Sequence, residues 1–150
     1  MGLDMYLSAK RYLSSYDEAD QKIAKNIEAM PTGRQGMRVK EISCEAMYWR
    51  KANAIHKWFV DNVQDGVDNC DSYVVEKEHL QALRDTCQQV LDDNALAGEL
   101  LPPSAGFFFG TTDITDYYFD DLRDTVEALD KALAFAQRDR WSTFTYQSSW

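Results

Sequence analysis

Histidine, proline and cysteine are scarce in this chain, with two, three and three copies among 150 residues. Cys44, Cys70 and Cys87 form no C-x-x-C pair, which excludes the usual zinc and redox-dithiol spacings. Reduced thiols in a cytoplasm are the expectation, with Cys87 a small buried hydrophobe. His56 and His79 fit neither H-x-x-x-H nor H-E-x-x-H, so no metal site and no cofactor is expected. No window approaches 18 consecutive apolar residues, and "MGLDMYLSAKRYL" carries Asp4 where a secretory leader would have a basic start and an apolar run. The expectation is a soluble protein with no membrane contact.

Two ligand motifs are missing in instructive ways. Asp61, Asp65, Asp68 and Asp71 suggest a calcium loop, yet Val63 and Val67 stand where oxygen ligands would be needed. Gly106 and Gly110 sit in "GFFFGTTD", which lacks the Lys that follows the second glycine of a phosphate loop.

Positive charge is also short, and unevenly so. Residues 1–60 hold 10 Lys/Arg against 7 Asp/Glu, while residues 61–150 hold 6 against 18, for a net −9 overall. A strongly acidic second part repels nucleic-acid phosphates and favours a partner with a basic surface, so no direct nucleic-acid binding is expected.

Apolar residues are plentiful at 45%, enough for one core, and a single domain over 1–150 is expected. Alternation of Leu3, Met5 and Leu7 predicts a first strand. Ser14 or Ser15 would cap a helix with Ala19, Ile23, Ile27 and Met30 on one face, ending before Pro31, and "PTGRQG" reads as a loop. A second strand follows from Met37 to Trp49. From about Arg50 the spacing of Ala52, Ile55, Phe59 and Val63 is helical. "SYVV" predicts a short strand, and Leu80, Leu83, Cys87, Val90 and Leu91 a third helix with a cap at Ser72 or later. The longest helix should start near Asp113, capped by Thr111, Thr112 or Asp113, with Phe119, Leu122, Val126, Leu129, Leu133 and Ala136 inward. Aromatics and threonines in "WSTFTYQSSW" favour a terminal strand. Together these predict an α+β fold, a small antiparallel sheet packed against about four helices.

Two groups of residues could carry function. "YWRKANAIHKWF", read as helix, would bring Trp49, Asn53 and His56 onto one face with Arg50 nearby, and Phe108 or Tyr117 could close a ligand pocket there. No nucleophile or catalytic carboxylate is placed beside His56, so catalysis is not assigned. The second group is an acidic row, Asp113, Asp116, Asp120, Asp124 and Glu127, stepping by 3 or 4 residues along the last helix. Such a row imitates a phosphate track and suits a basic protein surface. The run Phe107–Phe109 adds aromatic surface, at least one ring of which must face away from any single core.

The segments "MGLDMYL", "YWRKANAIHKWFV", "NVQDGVDNC" and "GFFFGTTDITDYYFDDL" resemble a group of small uncharacterised proteins of bacteriophages and bacterial mobile elements. The likeness runs through about residue 134, leaving out 14–36 and the last fifteen residues. It carries no activity, but implies a setting: a small acidic accessory protein in the host cytoplasm that binds, and inhibits, a host protein, including one of a defence system. A small-molecule or nucleotide binder built around Trp49, Asn53 and His56 is the alternative, and an assembly role in a particle a third.

Overall fold

The computed structural model describes residues 2–30, 36–106, 109–139 and 141–150. Phe107, Phe108 and most of the expected "PTGRQG" loop lie outside them. Strand β1 (Asp4–Tyr12) carries the alternation of Met5 and Leu7, both fully buried, against exposed Tyr6. It pairs antiparallel with β2 (Glu41–Arg50) on one side and β4 (Ser142–Ser149) on the other, and β4 pairs with the short β3 (Tyr73–Val75). The sheet order is β2-β1-β4-β3, antiparallel throughout. Met5 stands opposite Trp49, and Leu7 opposite Tyr146, so one face is apolar and buried. The other face exposes Tyr6, Tyr12, Tyr48 and Val74.

Helices cover the apolar face: α1 (Glu18–Glu28), α2 (Asn53–Asn62), α3 (Lys77–Asp92), the one-turn α4 (Ala97–Leu100) and α5 (Asp116–Arg138). The α+β class with an antiparallel sheet and four substantial helices is as the sequence implies, with α4 and a 3-10 turn at Asn94–Leu96 added. In α3 the expected stripe Leu80, Leu83, Cys87 and Val90 is buried, and the cap is Glu76, whose backbone N–H reaches the ring of His79. Arg84 Nε donates to Asp130 at 2.8 Å and Lys77 Nζ to the Ala136 carbonyl at 2.9 Å, so α3 and α5 run antiparallel. No described helix is long and apolar enough to cross a membrane.

Three expectations are corrected. Helix α1 is capped by Asp17 and buries Asp20 and Ala24, while Ala19 and Met30 are exposed. Its inner edge is set by an ion pair, Arg11 Nη2 to Asp20 at 2.7 Å, which a hydrophobic count does not see. Helix α5 starts at Asp116 behind Thr115, not at Asp113, and its buried seam is Tyr118, Leu122, Thr125, Leu129, Ala132 and Ala136. Phe119, Val126 and Leu133 are only half-buried, because Thr125 and Tyr118 find buried hydrogen-bond partners and so tolerate the inward side.

The third correction bears on the site. Trp49 and Arg50 belong to β2, not to a helix, since pairing with Met5 and Asp4 continues the strand to Arg50. Lys51 then turns the chain with φ of 61°, a left-handed conformation unusual for a side chain with a Cβ. Strand alternation buries Trp49 and points Arg50 to the open face beside Tyr48, so Trp49, Asn53 and His56 do not share a helical face.

Candidate functional site

The sharp turn at Lys51 brings the start of α2 against the first turns of α5, and between them lies a cleft of about 460 Å3. Pro103, Gly110 and Thr111, from the connection between α4 and α5, line it. Asn53, 5% exposed, donates from Nδ2 to the carbonyls of Phe109 (3.1 Å) and Thr111 (2.9 Å), and its Oδ1 accepts from Ser104 N–H at 3.0 Å. A satisfied amide thus holds both ends of that connection to α2. Gly110, at φ of 92°, passes so near Lys51 that an added Cβ would lie 3.2 Å from the lysine Cβ. Ile55, Leu122 and Tyr118 provide apolar floor, and the Tyr118 hydroxyl donates to the buried Leu101 carbonyl at 2.9 Å.

The walls are unequal in charge. Asp113, Asp120, Asp121 and Asp124 line one side, with Lys51 opposite. Asp113 is ordered by Thr111, whose hydroxyl donates to it at 3.0 Å, and Asp120 pairs with Arg123. Among the described residues, Asp121, Asp124 and Lys51 form no ion pair. Burial, then the charges of Asp124 and Asp120, push the Asp121 carboxyl up to about 6. Asp121 and Asp124 therefore add negative potential to the cleft without an ion-pair partner among the described residues, while Asp120 is paired with Arg123.

The residues singled out from sequence divide as follows. Asn53 and exposed Tyr117 line the cleft, Arg50 borders it at the end of β2, and Asp113, Asp120 and Asp124 from the acidic row line it too. The two separately read groups meet in one place. Asp116 starts α5 without lining the cleft, Glu127 lies further along α5 and is neutralised by Lys131 at 2.6 Å, and Phe108 lies outside the described residues. Trp49 and His56 face the core instead. The Trp49 indole donates to Thr125, and His56, 1% exposed, sits between the Tyr146 hydroxyl (2.7 Å from Nδ1) and Asp68 (3.0 Å from Nε2). Burial lowers the His56 pKa, with Asp68 partly opposing it.

Asp121 and Lys51 were not singled out from sequence. Asp121 borders the buried seam only once that seam is drawn through Tyr118 and Thr125, and Lys51 gains its place from a left-handed turn that no residue type announces. Among the described residues no group of three His, Cys, Asp or Glu side chains comes close enough to hold a metal ion. No known protein family, curated protein or solved structure matches the chain.

Proposed function

We propose that the protein binds a basic surface of a partner protein, receiving a cationic side chain in the acidic cleft between α2 and α5. The observation that carries this reading is Asp121, partly buried, without an ion-pair partner among the described residues, and raised in pKa first by burial and then by the charges of Asp124 and Asp120. A guanidinium or ammonium entering there would relieve repulsion already present in the unbound protein, which is an electrostatic gain available only on binding. Exposed Tyr117 at the rim supplies an aromatic surface suited to packing against an arginine. The resemblance to phage and mobile-element proteins supports a host-directed, inhibitory role for that binding.

The test is a 15N-resolved titration with a tetra-arginine peptide, repeated with added salt. Chemical-shift changes should centre on Asp121, Asp124 and Thr111, vanish in Asp121→Asn/Asp124→Asn, and persist in Glu127→Gln. Changes spread over all exposed acids and indifferent to the double substitution would overturn the cleft mechanism. Affinity capture from a nuclease-treated bacterial lysate with the same variants then seeks the natural partner.

A second reading, a small amine-bearing ligand, is favoured by the cleft's volume, which is in the range of small-molecule sites. Titration with spermidine separates the two: saturable cleft shifts at lower concentration than the peptide requires would select the small ligand.

A further inference from the structure

Among the described residues β2 is an outer strand of the sheet, hydrogen-bonded to β1 alone. Lys51 N–H bonds to the Leu3 carbonyl at one end of that ladder, and Leu13 N–H to the Lys40 carbonyl at the other, both at 2.8 Å. In an antiparallel ladder the bonded pairs alternate, so from one end Trp49 and Met47 turn their peptide groups toward β1, and from the other Ile42 and Cys44 do. Glu41, Ser43, Tyr48 and Arg50 therefore turn theirs to the free edge. The phase changes midway because the register slips between Leu7 and Ser8, leaving Ala46 without a partner on β1.

We propose that this edge pairs antiparallel with the same edge of a second copy of the chain, about a two-fold axis between Glu45 and Ala46. That register overlaps β2 along its whole length. It sets Glu41 opposite Arg50 and Ser43 opposite Tyr48 of the second copy, all four with edge-facing peptide groups. In a regular strand an axis between two residues would set an edge-facing group against one turned away; the bulge at Ala46 corrects the mismatch. Side-chain faces agree as well: Ile42 meets Trp49, and Cys44 meets Met47, on the helix side, while the charged Glu41–Arg50 pairs lie on the open side. Each pair occurs twice, as an isologous contact requires. The edge also borders an apolar hollow of about 530 Å3, floored by Ala9, Ala46, Ala132 and Phe144, which a neighbouring strand would help to cover. Glu45 flanks the axis in both copies, so like charges oppose the pairing and keep the association reversible.

Sedimentation equilibrium over a wide concentration series tests this on the full chain. The mass should rise from 17.3 kDa toward twice that value. Glu41→Arg and Arg50→Glu should each weaken association by roughly tenfold, the two together should restore it, and Glu45→Gln should tighten it. In the unsubstituted protein, alkylation of exposed Cys44 should slow as concentration rises, while that of exposed Cys70, away from this edge, should not. A monomer at every concentration, an association indifferent to the single charge reversals, or Cys44 and Cys70 reacting alike throughout would overturn the proposal.

Discussion

The Trp49 indole donates its N–H to the Thr125 hydroxyl at 2.7 Å, and that hydroxyl donates onward to the Asp121 carbonyl at 2.6 Å. A strand, a helix and the wall of the acidic cleft are thus joined through one buried threonine, 0% exposed. Thr125→Val keeps the shape and removes both partners' hydrogen bonds. It should cost about 1–3 kcal/mol, since the indole N–H is left buried and unsatisfied. Chemical denaturation measures the loss, and Thr125→Ser should recover most of it.

His56 gives a pH dependence with a definite sign. The neutral ring donates from Nε2–H to Asp68 and accepts the Tyr146 hydroxyl at Nδ1. Its pKa in the folded protein lies below 6.5, so below that pH the unfolded chain takes up the proton first and stability falls as pH falls. Melting temperature should drop between pH 7.5 and the folded-state pKa. In His56→Gln, compared at each pH with the parent, this component of the slope should be absent.

Asp121 acts in the opposite direction. Its folded-state pKa of about 6 is above the usual 3.8, so the charged form is disfavoured in the native protein and stability contributed by protonation grows as pH falls from about 6 toward 4. Asp121→Asn should raise the melting temperature at pH 7 and remove this gain at pH 5. An unchanged profile would show that the carboxyl is solvated and unperturbed, and would remove the electrostatic basis of the cleft.

Helix α1 is held by polar contacts more than by packing. Asp20 accepts from Ser14 N–H at 3.0 Å and from Arg11 Nη2 at 2.7 Å, and these bonds, the first above all, hold its carboxyl below its ordinary pKa. Asp20→Asn should speed amide exchange across Glu18–Glu28 while leaving the β1–β4 amides protected. The same local loosening should appear in the parent only as pH falls below the ordinary value of 3.8 toward the lowered pKa of the folded state.

The elements visible in the sequence are those whose burial is decided by apolar spacing. Leu80, Leu83, Cys87 and Val90 in α3 and the alternation of Met5 and Leu7 in β1 are such cases. Where a polar residue is taken inside, spacing misleads: Asp20 re-aims α1, and Thr125 rolls α5 away from Phe119 and Val126. The end of β2 was legible to within one residue, because its alternation runs to Trp49 and the strand ends at Arg50. Spacing misled about the side chain instead: Trp49 stands a helical interval from Asn53 and His56, but pairing of Tyr48, Trp49 and Arg50 with Tyr6, Met5 and Asp4 holds those residues extended. As for the cleft, Asn53, Tyr117 and three acids of the row were legible as chemistry, while their meeting depends on the turn at Lys51 and the hydrogen bonds of Asn53.

The central strands β1 and β4 lie side by side, with Asp4 opposite Ser149, although almost the whole chain separates them in sequence. Closing so long a loop carries a large entropic cost before any β-bond repays it, so folding should be slow for a protein of this size. During synthesis β1 and β2 emerge early, and β1 must keep one bare edge until β4 has left the ribosome. The α3–α5 pair can form in the interval, which makes the sheet the last part of the molecule to close and its nascent edge a natural client for a chaperone.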